Sequence, residues 1–163
     1  MSAPKIAVFA GSFDPLTLGH ENIIERALPL FDKIVVAIGT NSEKKGMFPV
    51  EVRRRFIEQR FAGEEKIEVD SFDHLTVDYC RTKNARYILR GIRTAGDLEF
   101  EQVIADANRA MCPDIESVFL LTDPRYGFIR STVVRDILLH GGSCRGFVSE
   151  PVRHIIEESC CSR

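Results

Sequence analysis

Short apolar runs alternate along this chain with longer segments whose apolar residues recur at helical spacing. Five runs are rich in β-branched or aromatic residues and predict buried strands: residues 5–10, 34–38, 67–71, 87–89 and 117–121. Between and after them, helical periodicity predicts helices over residues 23–28, 50–61, 77–82, 100–111 and 133–138, and a last one from about residue 151. Strands and helices therefore follow one another in turn.

This alternation is typical of an α/β fold. We predict a single Rossmann-like domain over residues 1–163, with a parallel five-stranded sheet and helices on both faces. The apolar positions of the fourth predicted helix, from Phe100 to Met111, recur at i, i+3, i+4, i+7 and i+11, and we expect Phe56 and Phe100 to belong to the core.

The position of the ligand site follows from the predicted sheet. In parallel α/β sheets, ligands bind beyond the carboxyl ends of the strands. Four segments rich in glycine, proline or charged residues follow strands one, two, four and five: residues 11–20, 39–49, 90–97 and 122–132. We expect all four to converge on one crevice.

Composition limits what that crevice can bind. The 163 residues are 44% apolar and 28% charged, and the formal charge is −2. Such a chain has no global basic field, which argues against a nucleic-acid partner, and any anion site must be built locally. No apolar run approaches the roughly 18 residues that span a bilayer, and we expect a cytoplasmic protein with no membrane partner and five reduced cysteines.

The first loop, GSFDPLTLGH at residues 11–20, is the strongest candidate anion site. Gly11 permits a tight exit from the strand, and Gly19 permits close approach of a ligand to the backbone. The following helix would direct N–H groups toward a phosphate, with Ser12 and His20 as additional donors. The loop matches neither GxGxxG nor the lysine-containing P-loop, so a Walker-type NTPase is disfavoured.

Residues 17–20 (TLGH) resemble the (T/H)xGH signature of the nucleotidyltransferase superfamily. Residues 129–135 (IRSTVVR) resemble its second signature, ISSTxxR, with Arg130 in place of the usual serine. Together with residues 42–48, 89–93 and 97–101, these stretches resemble the phosphopantetheine adenylyltransferase family over most of the chain.

The resemblance implies transfer of AMP from ATP to 4′-phosphopantetheine, giving dephospho-coenzyme A and pyrophosphate, with Mg²⁺ bound to ATP and no dedicated metal ligands. It implies a homohexamer and feedback by coenzyme A. The implied catalytic residues are His20, Lys44 and Arg93. The implied ATP-binding residues are Ser12, Phe13, His20, Gly91, Ile92, Arg93, Glu101, Tyr126, Gly127, Phe128, Ile129, Arg130, Ser131 and Thr132. Those implied for the pantetheine substrate are Ser12, Lys44, Thr76 and Arg90.

Other interpretations stay open at this point. By residue type alone, Lys44 also suits a solvated loop, Arg90 and Arg93 suit surface ion pairs, and Glu101 suits the start of a helix. A nucleotidyltransferase with another acceptor, such as nicotinamide mononucleotide or glycerol phosphate, shares the two signatures. A nucleotide-binding module without catalysis is the alternative of another class.

Overall fold

The computed structural model describes residues 3–40 and 46–161, and its sheet has five strands. They are β1 (Ile6–Gly11), β2 (Lys33–Gly39), β3 (Ile67–Phe72), β4 (Tyr87–Ile92) and β5 (Glu116–Leu121). Every pairing is parallel, and the order across the sheet is β3-β2-β1-β4-β5. The predicted parallel five-stranded α/β fold is confirmed, although β4 runs three residues beyond its predicted end.

Among the described residues, six α-helices connect or follow these strands. They are α1 (Leu18–Ala27), α2 (Val50–Arg60), α3 (Thr76–Thr82), α4 (Ala95–Met111), α5 (Ser131–Leu139) and α6 (Glu150–Cys161). One 3-10 turn, Pro124–Tyr126, precedes α5. Within the described part of the chain, none of the helices is long and apolar enough to cross a membrane.

The core divides into two clusters on opposite faces of the sheet, because successive strand residues point to opposite sides. Phe9 and Val36 belong to the cluster that packs against α1, α2, α5 and α6. Val8 and Val35 belong to the cluster that packs against α3 and the end of α4. Both faces of the sheet are therefore covered, as the alternation of strands and helices predicts.

Helix α4 differs from the other long helices in its burial. Among its residues only Glu101 is buried, whereas Phe100 is 67% exposed and Val103 is 69% exposed. Phe56 lies in the core as expected, but the expectation that Phe100 does so is wrong for this chain. Periodicity reports which residues share a face of a helix, and here no element of the described chain covers that face.

The two central strands, β1 and β4, separate toward their carboxyl ends. Strands β1 and β2 share six residue pairs, whereas β1 and β4 share only Ala7 with Tyr87 and Val8 with Ile88. Chain order reverses direction across the sheet at this position, since β2 and β3 lie on one side of β1 and β4 and β5 on the other. Ligands of open α/β sheets bind at this kind of switch point.

Candidate active site

A cavity of about 460 Å³ opens where β1 and β4 separate. Three of the four predicted segments line it, through residues 11–13, 17, 19 and 20, residues 90, 91, 93 and 97, and residues 122 and 129–132. The remaining segment is the one that follows β2, and its described residues, 39–40 and 46–49, do not line the cavity. Lys44 lies outside the described residues.

His20 enters this cavity as a neutral imidazole. Its Nδ1 accepts a hydrogen bond from the backbone N–H of Thr17 at 3.1 Å. Burial against Phe9 and Phe13, followed by the charges of nearby arginines, lowers its pKa to about 4. The ring proton at neutral pH therefore sits on Nε2, which leaves that N–H to donate to a bound ligand.

Arg90 bridges the gap between the separated strands. Its Nη1 donates to the carbonyl oxygen of Ala10 at 2.8 Å, beyond the last residue pair of β1 and β4. Its Nε donates to Glu101 Oε2 at 2.8 Å, and its Nη2 donates to the other carboxylate oxygen. The guanidinium is therefore held in one orientation at the wall of the cavity, because its planar fork matches the carboxylate.

Arg93 is held in a similar way by the first turn of α4. Its backbone N–H and its Nε donate to Asp97 Oδ2 at 3.2 and 3.1 Å. Its Nη1 lies 3.4 Å from the carbonyl oxygen of Ile129, which precedes α5. Burial opposes ionisation of Asp97, but Arg93 overcomes it, and the pKa of the Asp97 carboxyl is lowered. The carboxylate thus stays ionised at neutral pH and orients the arginine.

The second signature closes the remaining wall at the start of α5. Ser131 donates its hydroxyl to the carbonyl oxygen of Pro15 at 3.1 Å, and Arg135 donates to that of Asp14 at 2.7 Å. Arg130, the residue that departs from the signature, has an exposed side chain and lines the same wall. Helices α1, α4 and α5 all present their first turns to the cavity, and helix N-termini favour bound anions.

The charges around the cavity favour a polyanion. Four arginines line it, namely Arg90, Arg93, Arg130 and Arg135, against the two carboxylates Asp97 and Glu101. The chain as a whole has a net charge of −2, so the positive potential is local, as the composition requires. Among the described residues, no group of three histidine, cysteine or acidic side chains is placed to hold a metal ion.

Most of the residues implied by the resemblance meet at this cavity. Those that line it are Ser12, Phe13, His20, Arg90, Gly91, Arg93, Glu101, Ile129, Arg130, Ser131 and Thr132. Ile92 is buried, and Thr76, Tyr126, Gly127 and Phe128 lie outside the lining. Both oxygens of Glu101 are bound to Arg90, so its predicted ATP contact stays a prediction.

Gly91 shows why a small residue occupies the end of β4. A Cβ at this position would lie 2.9 Å from Cγ1 of Ile23, a buried residue of α1. Packing of α1 against β4 therefore requires glycine here, and this contact brings the first turn of α1 to the cavity.

Several residues with clear roles in this site had no individual assignment from the sequence. Asp97 and Arg135 fall inside recognised sequence blocks, and that membership was the only signal for them. Asp14 likewise falls inside the first loop, whereas Arg53 lies outside every recognised block. Residue type alone does not predict burial for either, because a charged residue in a loop or helix is usually solvated. Both are buried here, and their contacts are described below.

Comparison with known proteins agrees with this geometry. The family model for cytidylyltransferase-like proteins matches residues 8–137. Two curated proteins named phosphopantetheine adenylyltransferase, from Flavobacterium johnsoniae and Christiangramia forsetii, are each 52% identical to this chain. The matches cover 90% and 91% of this chain and 96% and 98% of the relatives. A third relative of that name, from Leptospira biflexa, is 44% identical over 95% of this chain and 94% of its own length.

A solved structure shows the same fold at greater distance. It is described as a putative nicotinate-nucleotide adenylyltransferase from Vibrio parahaemolyticus, and it superposes with a TM-score of 0.64 at 19% identity. The superposition covers 94% of this chain and 98% of the other. At that identity the likeness supports the fold alone.

Proposed function

Because this chain belongs to the phosphopantetheine adenylyltransferase family of cytidylyltransferase-like proteins, we propose that it transfers AMP from ATP to 4′-phosphopantetheine. The products are dephospho-coenzyme A and pyrophosphate, so the enzyme acts in coenzyme A biosynthesis. The observation that carries the proposal is the meeting of neutral His20 with Arg90 and Arg93 in the gap between β1 and β4.

The reaction needs charge stabilisation more than it needs a base. A phosphate oxygen of the acceptor forms a bond to the α-phosphorus of ATP, and the bond from that phosphorus to pyrophosphate breaks on the opposite side. The anionic acceptor is already a nucleophile, so no proton has to be removed from it. The site must bring two polyanions together and stabilise the charge that builds up on the transferred phosphoryl group.

The described residues suit that task. The Nε2–H of His20 can donate to an α-phosphate oxygen, and because the ring is neutral it is buried without the desolvation cost of an imidazolium. Arg93 and the hydroxyl of Thr132 complete the phosphate contacts, and residues 126–132 close over adenine and the phosphates, with Ser131 anchored to the first loop. Ser12, Thr76, Arg90 and Lys44 bind the acceptor in this proposal, Lys44 by family resemblance alone.

Mg²⁺ enters the proposed reaction together with ATP. Both carboxylates of the cavity, Asp97 and Glu101, are bound to arginines. The donors that remain for the ion are phosphate oxygens and water, which suit Mg²⁺ because it keeps much of its hydration shell. Bound in this way, the ion would neutralise negative charge on the nucleotide.

We further propose self-association through α4. The exposed face of this helix carries Phe100, Val103, Ile104 and Met111, and contiguous apolar surface of this kind marks protein contacts. The family resemblance suggests six subunits, feedback by coenzyme A, and a cytoplasmic location, where ATP is available.

One assay tests the proposed activity and its alternatives. Pyrophosphate release is measured with ATP, Mg²⁺ and, in parallel, phosphopantetheine, nicotinamide mononucleotide or glycerol 3-phosphate. Release with phosphopantetheine alone supports the proposal. Release with another acceptor in preference assigns a different nucleotidyltransferase, and ATP binding without release for any acceptor assigns a non-catalytic module.

A further inference from the structure

Two buried side chains of opposite charge join the first loop to the segment that follows residues 41–45. Asp14 belongs to the first loop and is 4% exposed, and Arg53 belongs to α2 and is 8% exposed. Neither lines the cavity. Burying a charged group is costly unless its hydrogen bonds are satisfied, so the partners of these two residues show what they hold in place.

Asp14 binds the backbone of residues 46–48, in the segment that follows β2. Its Oδ2 accepts a hydrogen bond from the N–H of Met47 at 2.8 Å, and its Oδ1 accepts one from the N–H of Phe48 at 2.9 Å. A Cβ on Gly46 would lie 2.9 Å from the same Oδ2, so the close approach of this segment to the carboxylate depends on a glycine.

Arg53 completes the connection from the other side. Its Nε donates to the carbonyl oxygen of Phe48 at 2.9 Å, and its Nη1 donates to that of Ser12 at 2.9 Å. Phe48 is itself buried and packs edge-on against Phe56. The two charged residues thus fix three backbone positions that belong to two different loops.

The conformation of the first loop shows why such support is needed. Phe13 lies between Ser12 and Asp14 and has a φ of 46°. A residue with a side chain adopts this left-handed conformation only where its surroundings hold it there. Arg53 holds the carbonyl group of Ser12, before Phe13, and the N–H groups of Met47 and Phe48 hold the side chain of Asp14, after Phe13. The strained position is therefore fixed on both sides.

We propose that Asp14 and Arg53, the loop clamp, are positioning residues for the acceptor half of the reaction. The clamp fixes the backbone of Ser12 and the chain that leads on from Lys44, the two residues proposed to bind the acceptor phosphate. This inference rests on the proposed function. On the ATP side, the side chain of Arg93 is oriented by Asp97, outside the clamp. Arg135 contacts Asp14 mainly at its backbone carbonyl oxygen, at 2.7 Å, with the carboxylate 3.9 Å away, and Asp14→Asn leaves that carbonyl in place.

The first test is Asp14→Asn, which keeps the shape of the side chain but replaces one acceptor oxygen with an NH₂ group. That group would face a backbone N–H, so one hydrogen bond is lost and two donors oppose each other. We expect kcat/KM for phosphopantetheine to fall about 10- to 100-fold through a higher KM, the scale of a displaced binding group, while KM for ATP changes less than about 3-fold. Equal changes in both KM values overturn the proposal.

Glu21→Gln is the matched control. Glu21 is also a buried carboxylate, 2% exposed, and it accepts a hydrogen bond from Arg60 outside the cavity. Its substitution should lower stability and leave the ratio of the two KM values unchanged within about 2-fold, because it removes a buried ion pair without moving the acceptor loop. If Glu21→Gln changed the ratio of the two KM values as much as Asp14→Asn does, the effect of the clamp would be that of any buried ion pair. That result would overturn the proposal.

Gly46→Ala provides a milder variant if Asp14→Asn does not fold. The residue is exposed, so the fold should survive, but the added methyl group must push the segment away from Asp14. We expect the same rise in KM for phosphopantetheine at about 3- to 10-fold, since a smaller displacement costs less. An unchanged KM would overturn the proposal.

A double-mutant cycle with Lys44→Ala separates positioning from general damage. If the clamp acts through the chain that carries Lys44, Asp14→Asn should cost less than about 3-fold in the Lys44→Ala background, because coupled residues are not additive. Full additivity overturns the proposal. A wild-type protein inactive with phosphopantetheine refutes the proposed function itself, whereas an active wild type with an additive cycle refutes only the clamp.

Discussion

Helices α1 and α4 have the same amphipathic sequence pattern but differ in whether the apolar face is buried. Both are amphipathic, and both present their first turn to the cavity, α1 through His20 and α4 through Asp97. The apolar face of α1 is buried through Ile23, Ile24 and Ala27, whereas that of α4 is exposed. A helix can therefore serve the site from either a covered or an uncovered position.

This difference in burial goes with different roles of the two helices in the site. Helix α1 supplies a group that reaches the cavity directly, and its burial fixes that group with respect to the sheet. Helix α4 supplies carboxylates that orient arginines of another element, while its outer face remains available to a partner. Substitutions in α1 should therefore change turnover and stability, whereas substitutions in α4 should change self-association and substrate KM.

The largest effect is expected from His20→Ala in α1. We expect kcat to fall by about two to four orders of magnitude, the scale of losing a donor aimed at developing charge. The dissociation constant for ATP, measured by calorimetry, should change much less. A variant that turned over at the wild-type rate would remove His20 from the mechanism.

The next effect compares the buried and exposed faces directly. Ile24→Ala in α1 should lower the free energy of unfolding by about 2–5 kcal/mol, since it leaves a cavity in a fully buried position. Val103→Ala in α4 should change it by less than about 0.5 kcal/mol in dilute protein. Urea denaturation followed by circular dichroism checks both values.

A third experiment asks whether the face of α4 is covered in solution. Val103→Asp should weaken self-association by about 100-fold or more, because it buries an unpaired carboxylate in an apolar contact. Sedimentation velocity across a range of concentrations measures this. The control is Leu30→Asp, an exposed leucine outside α4, which should leave the assembly unchanged.

A smaller effect is expected from Glu101→Gln, on the inner side of α4. The amide can accept only one of the two hydrogen bonds that the carboxylate accepts from Arg90, so the guanidinium loses its fixed orientation. We expect KM for phosphopantetheine to rise about 10-fold with a smaller change for ATP. An effect confined to ATP would instead support a direct contact between Glu101 and the nucleotide.

The last prediction is a pH dependence of stability that arises at His20 of α1. The pKa of His20 is lowered to about 4 by burial and by Arg93 and Arg90, whereas the unfolded chain protonates this residue near its ordinary pKa of about 6.5. The unfolded state therefore binds more protons between these values, and stability falls as pH drops from about 6.5 toward 4. In His20→Gln this contribution should vanish. Parallel curves of unfolding free energy against pH for the two proteins would contradict it.

The sequence was sufficient for the order of elements and for most of the cavity lining. Apolar runs predict all five strands, because buried parallel strands are continuous in hydrophobicity. The rule for the carboxyl ends of strands then brings Ser12, His20 and Arg93 together without any coordinates. Element ends were predicted less well, since Arg90 and Ile92 lie inside β4 rather than after it.

Two features were beyond sequence reasoning for physical reasons. Whether Phe100 is buried depends on whether another element packs against that face of α4. Periodicity identifies the apolar face of a helix, but it does not show whether anything packs against it. The loop clamp depends on distant backbone groups that approach Asp14 and Arg53 only after folding. Because charged residues are more often solvated, residue type alone gives no reason to expect these two to be buried.

The gap between β1 and β4 has a consequence for how this protein could be altered. Arg90 donates to a backbone carbonyl that the neighbouring strand leaves unpaired, so this side chain substitutes for a missing rung of the sheet. Exchange of an outer loop can change which acceptor is recognised, but the opening itself is a property of strand order. Substitutions in the loops around the site can therefore change its specificity, whereas the opening between β1 and β4 is fixed by the fold.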